Sequence, residues 1–471
     1  MSARRAPRPQ RPRPRPASLP PASRARRVCG ARSVRSWRPE AVIPHDGSVP
    51  DEADPADDRV PAVVTLGAAA GRGRLPAPAP RPDARDVVLA ALSRRGAVSR
   101  AELVRETGLA ASTVSTVVGE LLAAGLAVDM PGRTVPATGA RGGRPATLLA
   151  LHRSAGVAVG VDLGKRHVRV AVADLAHVLL AEGSRPLPAD WPAAEGIAVV
   201  ADLVEVLLRR AGVPRDQVIG VGMGIPGPVR ATGELGDSTI LPGWVGVQAA
   251  AAVAAALDLP VHVDNDANLG ALGEWTWGAA RGSGEVAYLK IATGIGAGLL
   301  LDGRPYTGIG GTAGEIGHIV VDPSGPVCRC GNRGCLEVVA GGDAVLAALR
   351  LTHGELGLRE VVALARRGDH GCRRVLADSG RSIGEAVAVL CNLLNPGLVV
   401  VGGELGAADD LLLPSLRESL ARSAVRSAAQ DVAVVPAALG ERAEVLGALA
   451  LAVRCGAPLT ADGARAGAPS A

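Results

Sequence analysis

Apolar positions along the chain change rhythm twice, and each change marks a new kind of structure. From Asp83 the spacing is helical, with Val87, Val88, Ala91 and Leu92 on one face. Ser99 stands where a helix would start and Glu102 follows three residues later, a pattern that predicts a capped helix over Arg100 to Thr107. Gly108 supplies the turn. A third helix is expected from about Ser112 to Ala124, burying Val114, Val117, Val118, Leu121 and Leu122 and ending at Gly125. Two short helices joined by a glycine turn predict a helix-turn-helix. Leu126-Ala127-Val128, a loop with Arg133 and Arg141-Gly142-Gly143-Arg144-Pro145, and Thr147-Leu148-Leu149 then form strand, basic loop and strand, the outline of a wing.

After Gly156 short apolar runs alternate with helical stretches. Val157 to Asp162 and Val168 to Ala173 predict a hairpin around Leu163 to His167. Val218 to Ile225, Val261 to Val263, Val286 to Ile291 and Leu398 to Val401 are further strands, with helices expected at Ala194 to Arg210 and Arg381 to Leu394. The fold class is therefore α/β with mixed sheets, behind a small winged module. The longest uninterrupted apolar run, Ala249 to Leu257, has nine residues, too few to span a bilayer. A cytoplasmic protein without a membrane partner is expected.

Composition separates the ends from this body. The first 38 residues hold twelve Arg and no acid, and Arg-Pro and Ala-Pro repeats run through residues 1–82. Such a stretch buries little and is expected to be disordered, as is the tail at 456–471. No apolar segment follows Arg4-Arg5 that would make an export signal. Phe is absent and Trp and Tyr total seven, so the core must be aliphatic. Residues 83–151 hold eight Arg against six acids, so charge alone does not mark the winged module, but the stretch from Met130 to Leu151 has three Arg and no acid. Ser112, Thr113, Ser115 and Thr116 open the third helix with small hydroxyls, and with Arg141 and Arg144 they are the candidate contacts to double-stranded DNA. A packing module without DNA is the alternative.

The densest chemistry lies at His318, Cys328, Cys330 and Cys335, one His and three Cys within 18 residues. Zinc takes about four N or S ligands at roughly 2.0–2.3 Å, and Cys-x-Cys with the third Cys can supply three of them. Unconnected buried thiols and a disulfide framework are the other readings; seven Cys in 471 residues is sparse for the latter. Gly314-Glu315-Ile316-Gly317-His318 and Cys328-Arg329-Cys330-Gly331-Asn332-Arg333-Gly334-Cys335-Leu336-Glu337 together resemble the signature of the ROK family, named for its repressors, open reading frames and kinases. The winged module with its Gly-Gly-Arg-Pro loop resembles that of the family's repressors.

The resemblance implies an actin-like, hexokinase-like pair of lobes over roughly residues 155–455, with the winged helix at 83–151. It implies a structural zinc on His318, Cys328, Cys330 and Cys335, four protein ligands leaving no open position. A sugar site would be formed by Asn265, Asp266, Glu315, His318 and Glu337, beside loops at 222–228 and 241–244. In the family's kinases the carboxylate matching Asp266 accepts the sugar hydroxyl's proton. The nucleotide side departs from that pattern. Its first phosphate loop reads Asp162-Leu163-Gly164-Lys165-Arg166-His167, with Lys165 and Arg166 where small residues and a hydroxyl are usual. Thr293, Gly294, Gly296 and Gly298 keep a second glycine loop, although Ala292 replaces its leading Gly, and Gly402 and Gly403 match an adenosine-side motif. Ile240 stands where kinases tend to carry Asn before Leu-Pro-Gly-Trp. Bulk in the first loop works against bound ATP. The expectation is a sugar-responsive DNA-binding regulator, a repressor of carbohydrate-metabolism genes acting as a homodimer or homotetramer. The runner-up is an ATP-dependent sugar kinase. A regulator that senses ATP without turning it over is a third reading.

Overall fold

The computed structural model describes residues 84–455, apart from 96, 124, 136–145, 153–155, 176, 189–190, 231 and 237–239. The expected disordered ends and the wing arginines Arg141 and Arg144 lie outside the described residues.

The winged module is α1 (Ala84–Arg95), β1 (Ala97–Ser99), α2 (Arg100–Thr107), α3 (Ala111–Ala123), β2 (Ala127–Val135) and β3 (Ala146–Leu151), with a sheet in the order β1-β3-β2. Ser99 and Glu102 form the expected capping box, Glu102 accepting from the Ser99 backbone N–H at 2.8 Å. Gly108 closes α2 in the left-handed region at φ 67°, a conformation that costs glycine no Cβ clash. Val114, Val118 and Leu121 of α3 are fully buried, while Ala111, Ser112, Ser115, Thr116, Gly119 and Glu120 line its exposed side.

Two five-stranded sheets follow, and they share one topology. The first comprises β4 (Val157–Leu163), β5 (His167–Asp174), β6 (Leu179–Pro186), β7 (Val218–Ile225) and β8 (Val261–Asn265), in the order β6-β5-β4-β7-β8. Helices α4 (Ala193–Ala211) and α5 (Ala249–Leu257) belong to it. After α6 (Asp266–Trp277), the second sheet comprises β9 (Val286–Ile291), β10 (Ile295–Leu301), β11 (Arg304–Pro305), β12 (Leu398–Gly402) and β13 (Ala433–Pro436), in the order β11-β10-β9-β12-β13. In each, the first three strands pair antiparallel and the last three parallel. Helices α7 (Leu336–Ala340), α8 (Gly342–His353), α9 (Leu358–Arg366), α10 (His370–Leu394), α11 (Asp409–Ser423) and α12 (Arg426–Asp431) cover the second sheet. The last helix, α13 (Ala443–Cys455), packs on α6, β4 and β7.

β4 and β7 are buried along their whole length, which is why they read as continuous apolar runs. Two expectations shift. The second glycine stretch is largely the strand β10, with only Thr293 and Gly294 in the turn before it. Helix α10 starts at His370, 11 residues before Arg381. Its polar first half hid a buried stripe of Cys372, Leu376, Ser379 and Gly380. No described helix is long and apolar enough to cross a membrane.

Candidate functional site

A cavity of about 170 Å³ opens between the two sheets. One wall comes from the β4–β5 turn (Gly164 to His167), the other from the start of α6, β9, β10, the Gly314–His318 segment and the cysteine loop.

The start of α6 is fixed by Asn265. Its Oδ1 accepts from the backbone N–H groups of Ala267 and Asn268, and its Nδ2 donates to the Gly227 carbonyl at 3.0 Å. Asn265 therefore acts chiefly as the cap that holds Asp266 at the cavity edge. Oδ2 of Asp266 lies 2.9 Å from the Lys290 ammonium, and both side chains are only 14 % exposed. Burial opposes the charge on Lys290, but Asp266, Glu444 and Asp162 outweigh it and raise its pKa, so the ammonium stays protonated. Lys290 was not legible as a site residue: it is one polar residue inside an apolar strand, and its partners are distant in sequence.

The expected cluster assembles. The candidate ligand atoms of His318, Cys328, Cys330 and Cys335 all lie within 4.8 Å of one another, with Cys328 Sγ 3.6 Å from His318 Nδ1 and the Cys330 and Cys335 sulfurs 3.7 Å apart. A tetrahedral zinc shell puts neighbouring ligand atoms roughly 3.3–3.8 Å apart, so this donor set fits the ion. Nε2 of His318 faces Oε2 of Glu315 at 3.7 Å, the kind of carboxylate partner that orients a ligating imidazole. Burial and the neighbouring sulfurs push the Cys335 thiol up to about 12.

The cysteine loop also supplies Arg329, which no sequence signal had marked. Its Nε donates to Glu337 Oε1 at 2.8 Å, and Glu337 accepts from the Ile295 N–H at 3.4 Å. Glu315 is pushed up to about 7 by burial and by Asp266 and Glu337, with Arg329 pulling the other way. Asn265, Asp266, Glu315, His318 and Glu337 all line this cavity.

The opposite wall differs. His167 Nε2 lies 2.9 Å from Asp162 Oδ2, and its ring sits where a side chain on Gly164 would project. Asp162 is buried and keeps its second oxygen without a protein hydrogen bond. Burial raises its pKa, but the His167 hydrogen bond and the Lys290 charge more than reverse this. Lys165 and Arg166 line the mouth, Lys165 3.8 Å from Asp343. An imidazole and two long cations thus fill the turn that the kinase pattern keeps small.

The glycines kept on the nucleotide side have packing reasons. A Cβ on Gly294 would strike Glu337, one on Gly298 the Ala267 carbonyl, and one on Gly402 the Tyr288 ring. Gly403, at φ 80°, lies against the Ile291 backbone. Thr293 and Gly296 line the cavity floor.

Comparison with known proteins places these features in context. The model of the ROK family matches residues 158–454, and that of the DprA winged helix domain matches residues 73–133. The xylose repressor of Bacillus subtilis (strain 168) is 28% identical over 362 residues, covering 77% of this chain and 92% of that protein. The DNA-binding transcriptional dual regulator NagC of Escherichia coli (strain K12) is 28% identical over 384 residues, covering 77% and 90%. Among solved structures, a ROK family transcriptional regulator, homolog of the E. coli MLC protein, aligns with a TM-score of 0.64 at 26% identity over 79% of this chain and 97% of its own. A ROK family glucokinase from Streptomyces griseus, in complex with glucose and AMPPNP, aligns with a TM-score of 0.56 at 29% identity, over 63% of this chain and 99% of its own.

Proposed function

The chain belongs to the ROK family, and from that premise we propose that it is a sugar-responsive transcriptional repressor acting in the cytoplasm. The winged helix at 83–151 binds an operator in double-stranded DNA, and the domain at 155–455 binds a sugar or sugar derivative that releases it. The xylose repressor and the dual regulator NagC align over about nine-tenths of their own length. The kinase neighbour aligns with 63% of this chain.

The observation that carries this reading is the Asp266–Lys290 pair. A kinase base must take a proton from the sugar hydroxyl as the hydroxyl attacks phosphorus. Here Oδ1 of Asp266 already accepts from the Ala267 N–H at 2.8 Å and Oδ2 meets the Lys290 ammonium at 2.9 Å, so neither oxygen is free to take a hydroxyl proton without giving up a partner. The residues near Asp162 point the same way, since His167 fills the turn where the phosphates would approach.

In this reading Asp266, Glu315 and Glu337 recognise paired sugar hydroxyls, with Asn265 and His318 holding their geometry. Zinc, held by His318, Cys328, Cys330 and Cys335, would fix the cysteine loop that presents Arg329 and Glu337 to the cavity. Ser112, Thr113, Ser115 and Thr116 on α3, with Arg141 and Arg144 of the wing, meet the DNA. A homodimer or homotetramer would read two half-sites one turn apart. Sugar binding must favour one arrangement of the lobes over the other, and a coupling of about 1–3 kcal/mol changes operator affinity roughly 5- to 150-fold.

The test is a coupled ADP-release assay over a panel of hexoses, pentoses and amino sugars, run beside a thermal-shift screen of the same panel. A sugar that raises the melting temperature without ADP release is the expected result. Sugar-dependent ADP release that disappears in Asp266→Asn would make the protein a kinase instead.

A further inference from the structure

Lys290 does more in this fold than neutralise Asp266. Its ammonium lies 2.9 Å from Asp266, the first residue of α6, and 3.6 Å from Oε1 of Glu444, the second residue of α13. Glu444 is buried and also accepts from the Tyr288 hydroxyl at 3.1 Å. A carboxylate in the first turn suits the positive end of each helix, so the two helices present acids to one cation.

From that shared point both helices lead away from the cavity in close contact. Backbone meets backbone between them. A Cβ on Gly273 of α6 would strike the Ala443 carbonyl, and one on Gly447 of α13 would strike the Leu269 carbonyl. Both helices reach a buried cluster shared by the winged module and the first sheet. Val445, Leu449, Ala452 and Val453 of α13 are buried in one cluster with Val88, Ala91 and Leu92 of α1 and Val114 and Val118 of α3, and Trp277 at the end of α6 packs against it. Helix α1 touches both α6 and α13.

We propose that Lys290 couples the cavity to the winged helix, so that a ligand engaging Asp266 loosens its hold on Lys290 and shifts α6 and α13 as one body against α1. This rests on reading the cavity as an effector site. The physical reason is that where Gly273 and Gly447 face carbonyls no side chain lies between the helices to absorb a displacement, and beside that point Leu269 and Leu272 pack tightly on Ala448 and Ala450. A change at their starts is therefore handed on rather than dissipated. Glu444 is buried and Asp266 and Lys290 are largely withdrawn from water, where pairing counts for more than at a surface, so a change in one partner is felt by the others.

Hydrogen exchange on the full chain tests this without any sugar or operator. In Lys290→Met, amides of α1 should exchange about fivefold faster or more, while those of α8 and α9 keep their rates. Lys290→Arg, which preserves the charge, should return α1 close to its original rate. Should Lys290→Met fail to fold, Glu444→Gln decides, because it keeps an acceptor for Tyr288 and removes only the charge; the same selective gain at α1 is expected. An unchanged α1, or equal acceleration of every helix, overturns the proposal. Either outcome is distinct from failure of the repressor reading, which would appear as ADP release.

Discussion

The two walls of the cavity differ in what holds them. The wall at α6 and the cysteine loop is a set of acids, each tied to a partner: Asp266 to Lys290, Glu337 to Arg329, Glu315 facing His318. The wall at the β4–β5 turn offers two long cations and an imidazole packed over Gly164. In the proposed reading, one wall keeps the polar groups a sugar needs and the other fills the space a phosphate would need. In the proposed repressor, recognition and group transfer thus separate along a physical boundary, and losing one leaves the other intact.

The harshest way to break this contrast is Cys335→Ser. If the cysteine loop is pinned by zinc, the variant should lose its metal and roughly 4 kcal/mol of stability, read by elemental analysis and urea unfolding. Metal content equal to that of the original chain would remove the pin from the sugar-facing wall. Gly298→Ala comes next. Its methyl group would strike the Ala267 carbonyl, forcing β10 off α6 at a cost of about 2 kcal/mol, read as a lowered urea midpoint. No change would mean that the two elements approach less closely than described.

A gentler probe is the pH dependence of His167→Gln. Burial alone would raise Asp162 and lower His167, but the hydrogen bond between them turns both, leaving Asp162 below its usual range and His167 above its own. A lowered acid stabilises above its unfolded value and loses that contribution as pH falls. A raised histidine stabilises below its unfolded value and loses it as pH climbs through the folded one. The gap between original and variant should therefore be widest between about pH 4 and 6.5 and close above neutrality. Because the imidazole is 43 % exposed, it should stay under about 1 kcal/mol. A gap that widens above neutrality would contradict the pairing. The smallest effect is expected from Lys165→Gly combined with Arg166→Thr, which should leave ADP release at background because His167 and Lys290 remain. Turnover in that variant would show that the two cations alone had closed the phosphate wall.

Much of this was legible because it is local. The Ser99–Glu102 box spans three residues, the β4–β5 hairpin follows from two apolar runs and a short turn, and the three cysteines lie within one loop. The α5 helix has the bounds of its apolar run, Ala249–Leu257. What escaped depends on distance in sequence. Lys290 acquires its meaning from Asp266 and Glu444, and no window around it contains Glu444. The glycine at 298 looked like part of a phosphate turn because sequence does not distinguish a glycine that admits a ligand from one, like this, that admits a neighbouring helix. Arg329, the variable residue between two cysteines, becomes a site residue only once the loop has folded back over Glu337.

The contact between Gly273, Gly447 and the carbonyls they face has a practical side for sensor engineering. In the proposed sensor, lining residues that do not also hold α6, Lys290 or the cysteine cluster can be exchanged to retune what the molecule detects. Those two glycines admit no such freedom, and a library that varies them would sacrifice the output along with the input. A designer seeking new specificities would therefore randomise the rim and leave the spindle untouched.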